Sequence, residues 1–267
     1  MILLDGKTLS QKILSSLKEQ IKLSGKKINL DIILVGRDES SLKYVSLKRQ
    51  RAIEVGIGGQ LHQLSENTSE SEIINLVKKL NANSDITGFF VQLPLPPNIH
   101  KNFVLNSINP QKDADGLVLN SPIIPAVVRG IIQLLDEYKL NFVDKNVVII
   151  NDSQLIGQPL KKHFENRHST VILCNEFTQN LGNITETADL LISATGVKNI
   201  ITADMVKDGI VAVDVATGDI DFENVSLKSS YVAPTFGGVG PMTVASLLQN
   251  TFDLYSSSIH RRPGGKN

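Results

Sequence analysis

Ser41, Tyr44 and Lys48 are spaced i, i+3 and i+7, so on a helix all three project from one face. A tyrosine beside a lysine can hold its hydroxyl and an ammonium near one substrate atom. The ammonium becomes a usable acid or base only where burial lowers its pKa. A solvated helix face would show the same spacing. Gln92 ends an apolar run and opens Leu93-Pro94-Leu95-Pro96. A glutamine at the carboxyl end of a buried strand sits where open α/β sheets bind ligands. Its amide both donates and accepts, so it can fix a lysine's orientation or protonation, or simply cap a loop. Lys112-Asp113-Ala114-Asp115-Gly116 offers two carboxylates. A carboxylate can accept two parallel hydrogen bonds from an amidine-like N–H pair, although Asp-Gly is equally a turn signal.

These residues need elements to position them, and the apolar pattern supplies them. Residues 30–35 read as a buried strand ending at Gly36, and 40–55 as a helix with Ser40 or Ser41 as N-cap and Gly56 after its end. A second strand fits 60–64, an amphipathic helix with an acidic first turn fits 69–80, and a third strand fits 86–92. The prolines beyond it stop any regular element. A connecting helix spans about 125–140. The alternation then restarts with strands at 147–150, 170–174, 190–194 and 210–214 and a helix near 157–165. That order is the order of a mononucleotide-binding unit. Gly237-Gly238-Val239-Gly240-Pro241 precedes a final helix from Met242 to about Tyr255, and the polar, glycine-rich 258–267 reads as a disordered tail.

Composition narrows the partners. Lys+Arg and Asp+Glu both total 27, so no net field draws nucleic acid or an anionic membrane. No apolar run approaches the roughly 20 residues of a membrane helix. The single cysteine, Cys174, suits a reducing compartment, and the apolar start is soon broken by Asp5 and Lys7. A soluble, cytoplasmic protein is expected. His62, His100, His163, His168 and His260 show no metal-ligand spacing, so no metal is expected.

SLKYVSLK with VGI, GFFVQLPLP, KDADG and GGVGPMTVASLLQNT occur in this order, with LDGK near the start and ADLLISATG later. Together they resemble the signature set of bifunctional methylenetetrahydrofolate dehydrogenase/cyclohydrolase, from about Leu4 to Thr251. Tyr44-x-x-x-Lys48 also marks short-chain dehydrogenases, but there the pair follows a glycine-rich nucleotide turn, and here it precedes any such turn.

The resemblance implies an α/β fold with two domains around a cleft, the second Rossmann-like, and a homodimer. Residues 1–120, completed by 241–257, would hold tetrahydrofolate derivatives, and 121–240 the dinucleotide, NADP by family default. It implies that Tyr44 stacks on the folate rings, Lys48 is the catalytic lysine, Gln92 its partner, and Asp115 the grip on the pterin edge. Ser41, Gly237, Gly238 and Pro241 complete the implied substrate site. The family reaction oxidises methylenetetrahydrofolate to the methenyl cation, which water converts to formyltetrahydrofolate.

The cofactor turn departs from the family. Asn151-Asp152-Ser153 stands where the family has Gly-Arg-Ser, its arginine meeting the NADP 2′-phosphate. After the next strand, Cys174-Asn175-Glu176 stands where a basic or hydroxyl-bearing run is usual. Two carboxylates repel a phosphate dianion, whereas an acid after the second strand suits a ribose 2′-hydroxyl, so the turn leans towards NAD. Asn151, Asp152, Ser153, Gly157, Glu176 and Thr217 are the expected cofactor positions. Two further departures touch the folate side. Val127 and Val128 replace a family threonine and proline, and Phe236 either crowds the folate or substitutes for lost packing. An enzyme reduced to the cyclohydrolase, or a non-catalytic folate binder, remains open at this point.

Overall fold

The computed structural model describes residues 1–118 and 121–260. β1 (Ile2–Leu3) leads into α1 (Gly6–Ser24), then β2 (Ile28–Val35) and α2 (Glu39–Val55). β3 (Ile57–Gly58) and β4 (Leu61–Leu64) follow, then α3 (Glu70–Ala82), β5 (Gly88–Val91) and α4 (Lys101–Asn106). After α5 (Ala126–Glu137) come β6 (Asn146–Ile150), α6 (Gly157–Glu165), β7 (Thr170–Cys174), α7 (Leu181–Thr185) and β8 (Leu190–Ser193). β9 (Ile210–Asp214), α8 (Phe222–Lys228), β10 (Ser229–Val232) and α9 (Val239–His260) complete the chain.

The chain divides into two compact units, residues 12–126 with 244–267, and residues 1–11 with 127–243. It passes from one to the other within α1, α5 and α9.

In the first of these, β2 is the central strand and pairs in parallel with β3, β4 and β5. Its near-continuous apolar run is explained by cover on both faces. Ile28, Leu30, Ile32 and Leu34 face a cluster with Val45, Ala52 and Val55 of α2 and Leu247, Leu248 and Leu254 of α9. Ile33 and Val35 face the other way, onto Ile73, Val77 and Leu80 of α3.

The other unit holds a parallel sheet in the order β1-β10-β9-β8-β6-β7. The chain runs outward from β6 to β7, then returns to the other side of β6 for β8, β9 and β10. The strand order therefore reverses between β6 and β8, the position at which open α/β sheets bind ligands.

Several element boundaries differ from the sequence expectation, each for a local reason. α2 is capped by Asp38, whose carboxylate accepts from Ser41 N at 2.7 Å, and not by Ser40 or Ser41. A carboxylate satisfies a first-turn N–H better than a neutral hydroxyl and favours the positive end of the helix dipole. α9 starts at Val239, so Gly240 and Pro241 lie in its first turn, where proline forfeits no helical bond. It runs to His260, so residues 258–260 are helical where the tail was expected to begin; 261–267 lie outside the described residues. No helix among the described residues is long and apolar enough to cross a membrane.

Candidate active site

Lys48 lies on the buried stripe of α2 with Val45, Ala52 and Val55, and only 3% of its side chain is exposed. A charge in that position needs partners. Its Nζ donates to Gln92 Oε1 at 3.2 Å, just past the end of β5. Gln92 Nε2 in turn donates to Leu93 O at 2.7 Å, which fixes the amide so that its oxygen faces the lysine. Nζ also stands 4.6 Å from the Tyr44 ring centroid and 4.3 Å from that of Phe90. Asp115 contributes a carboxylate oxygen at 4.0 Å. Burial pushes the Lys48 amine below the ordinary lysine range, and the Asp115 charge opposes that fall. The result is an amine that can exchange a proton under milder conditions than a surface lysine.

The two carboxylates of the Lys112–Gly116 loop divide the roles that the sequence left open. Asp113, 1% exposed, accepts from Gly116 N at 3.0 Å and Val118 N at 2.9 Å. It forms the turn, and burial raises its pKa. Asp115 faces the lysine. Gly116 makes the turn possible: its φ is +74°, and a Cβ there would meet Pro125 N at 2.7 Å. Ser41 is buried near the start of the same helix, its amide bound to Asp38. Lys48, Tyr44, Gln92 and Asp115 are thus brought together, and Phe90 joins them, its place in the GFFVQLPLP run having given no sign of that contact.

A second constellation lies at the carboxyl ends of β6, β7, β8 and β9. Gly157 opens α6 against the preceding turn so closely that a Cβ would fall 1.9 Å from Asn151 O. Asn151 Nδ2 donates to Ala194 O across the β6/β8 reversal at 2.8 Å. Its Oδ1 accepts from Ser153 N at 3.0 Å, Ser153 Oγ at 2.6 Å and Gly157 N at 3.3 Å. Asn175 Nδ2, in the loop after β7, donates to Asp152 Oδ2 at 2.8 Å. Beyond β8, buried Asp219 accepts from Ser193 Oγ, Thr195 N, Thr195 Oγ1 and Gly196 N at 2.6–2.9 Å. Asp152 and Glu176 are both exposed. A tight strand–turn–helix at a strand-order reversal fits a dinucleotide.

The chain matches known proteins along nearly its whole length. The family description "Tetrahydrofolate dehydrogenase/cyclohydrolase, catalytic domain" matches residues 4–115, and its "NAD(P)-binding domain" matches residues 125–259. The chain belongs to the tetrahydrofolate dehydrogenase/cyclohydrolase family. It is 41% identical to the bifunctional protein FolD of Thermodesulfovibrio yellowstonii, over 97% of this chain and 98% of that one. The crystal structure of the bifunctional FolD enzyme of Campylobacter jejuni is 39% identical, with a TM-score of 0.91 over 97% of this chain and 99% of that one. The FolD of Trypanosoma brucei, crystallised with NADP cofactor and an inhibitor, is 28% identical, with a TM-score of 0.93 over 98% of this chain and 99% of that one.

The remaining family positions lie in the unit of residues 1–11 and 127–243, not in that of Lys48. Gly237, with φ +92°, accepts from Lys7 N at 2.7 Å, and Gly238 lies against Gly6. Pro241 is part-buried in the first turn of α9. Thr217 is exposed at φ +68°, its amide held by Asp214 at 3.0 Å. Phe236 is 85% exposed, so it does not substitute for lost packing. Val128 is buried and Val127 half-buried at the start of α5. Among the described residues, no group of three or more His, Cys, Asp or Glu is placed to hold a metal.

Proposed function

We propose that this family member oxidises methylenetetrahydrofolate to the methenyl form and hydrolyses that to formyltetrahydrofolate, with Lys48 as the acid/base group of the hydrolysis. The observation that carries this is the buried Lys48 amine held between Gln92, Asp115 and two aromatic rings. The unit around Lys48 takes the folate, and Asn151, Asp152, Ser153, Gly157, Glu176 and Thr217 of the other hold the dinucleotide. Ser41, Gly237, Gly238 and Pro241 are the further positions that the resemblance assigns to folate. The nicotinamide, when bound, supplies the two-electron acceptor for the first step.

In the second step the methenyl carbon is already an electrophilic iminium, so water needs only a base. Neutral Lys48 takes a proton from the attacking water as the C–O bond forms. The resulting ammonium returns that proton to the ring nitrogen as the C–N bond breaks, while the remaining O–H proton of the carbinol leaves to solvent as the formyl C=O forms. Gln92 accepts one Nζ–H and so orients the remaining valences. Asp115 keeps the ammonium form within reach, and its free lone pairs accept from the pterin edge.

The dinucleotide is NAD in preference to NADP. What supports this is that Asp152, exposed and held by Asn175, and exposed Glu176 stand at the positions to which the resemblance assigns the 2′-phosphate contacts, where a carboxylate repels a phosphate. A cyclohydrolase that has lost the dehydrogenase is the second reading. It is favoured by the amides of Ser153 and Gly157, which already donate to Asn151 and not to an incoming ligand. The homodimer and cytoplasmic location implied by the resemblance belong to the same proposal; light scattering on the purified chain tests the first. Assays of methylenetetrahydrofolate with each nicotinamide cofactor, and of methenyltetrahydrofolate alone, test the rest. Turnover of both folates with NAD preferred supports the proposal in full. Hydrolysis alone supports the second reading, and neither activity rejects both.

A further inference from the structure

Adjacent phenylalanines on β5 have different surroundings. Phe89 packs into an apolar cluster with Ile73, Val77 and Val104. Phe90 points to the opposite face of the sheet, as strand alternation requires, and is 1% exposed. There it meets a cation: its ring centroid lies 4.3 Å from Lys48 Nζ, nearer than that of Tyr44. The ring therefore has a polar neighbour on one face besides the apolar residues of its cluster.

We propose that Phe90 is a positioning residue for the lysine chemistry, its ring face holding Lys48 Nζ and keeping the ammonium form accessible in a buried site. The electron-rich face of an aromatic ring attracts a cation, more strongly once water is excluded. The groups facing Nζ are Tyr44 from α2, Phe90 from β5, Gln92 just beyond it and Asp115 from the following loop. Asp115 alone of these brings a carboxylate, and Asp113 stands behind it in the same loop. Burial works against the ammonium and the Asp115 carboxylate works for it; a ring face under the amine adds to the second. A lysine that takes a proton from water and then returns one needs both forms at one pH. Removing the Phe90 ring tips the balance towards the neutral amine, which accepts readily and returns slowly. The catalytic half of this inference rests on the function proposed above; the electrostatic half does not.

The test separates the two. The ε-carbon of Lys48 is titrated by NMR in ¹³C-lysine-labelled protein, the signal being assigned by its loss in Lys48→Met. Phe90→Leu removes the ring, and pentafluorophenylalanine placed at position 90 keeps the shape while reversing the ring's electrostatics. Both changes are expected to lower the Lys48 midpoint by roughly half to one and a half pH units, the fluorinated ring more than leucine. The fluorinated protein gives the answer even where the leucine variant folds poorly. An unchanged or raised midpoint overturns the proposal. In parallel, the acid limb of methenyltetrahydrofolate hydrolysis moves down by the same interval. A parent protein with no such limb would count against Lys48 as the acid/base group, while the NMR titration still decides the role of Phe90.

Discussion

The lysine site and the dinucleotide turn are built by opposite means. Around Lys48, side chains converge inside a hydrophobic cluster, and a charge is held where water does not reach it. At the turn after β6, the backbone makes the shape, the one indispensable glycine is Gly157, and the carboxylates stay in solvent. Burial gives the first site leverage over proton affinity. Exposure gives the second only discrimination, because charges in water act weakly on each other. Substitutions in the first site should therefore change rates by large factors, and those in the second should change preference by small ones.

The largest effect is expected at Lys48. Lys48→Met should lower methenyltetrahydrofolate hydrolysis by about 10²–10⁴-fold, measured against the spontaneous rate. It should do so without loss of stability. Burial holds the Lys48 amine below its ordinary value, so between the folded pKa and the unfolded value of about 10 the unfolded chain binds a proton that the folded site resists. The stability cost therefore grows as pH falls through that interval, and methionine abolishes it. A melting temperature at pH 7 equal to or above the parent's, with a flatter dependence on pH, is the expected calorimetric result.

Asp115→Ala comes next. Loss of a charge-assisted paired contact should weaken folate binding by about 1.5–3 kcal/mol in a titration, with little change in melting temperature. Asp113→Ala should do the reverse, since that carboxylate binds two backbone amides and faces no ligand in this proposal. A large stability loss from the Asp115 change and none from the Asp113 change would dissolve the division of labour between them.

The smallest effect belongs to the turn. Asp152→Ala should shift the NAD-to-NADP affinity ratio towards NADP by less than about tenfold, since the carboxylate is exposed. A change of several hundredfold would mean that the acid is buried against the ligand, and that the contrast between the two sites is false.

What the sequence disclosed follows the same division. The spacing of Ser41, Tyr44 and Lys48 is a helical period, and strands such as 170–174 and 210–214 are apolar runs with clear ends, so both were legible. Phe90 was not, because a buried phenylalanine on a strand carries no mark of what lies above it. Nor was the pairing of Asn151 with Ala194 or of Asn175 with Asp152, which joins residues 43 and 23 positions apart through side chains that any turn might carry. Helix α1 has no acidic first turn to mark its start, and the order of the strands needs contacts that no local pattern encodes.

The side-chain ties at the carboxyl edge of the larger sheet have a consequence for the cost of ligand association. Asn175 ties its loop to Asp152, Asn151 ties the next to Ala194, and Asp219 holds Thr195 and Gly196. Loops held by such ties have little freedom left to lose when a dinucleotide docks, so ordering them costs less conformational entropy. The amide hydrogens of Ser153, Thr195 and Gly196 should accordingly exchange slowly with deuterium in the free protein and gain little further protection when NAD is added.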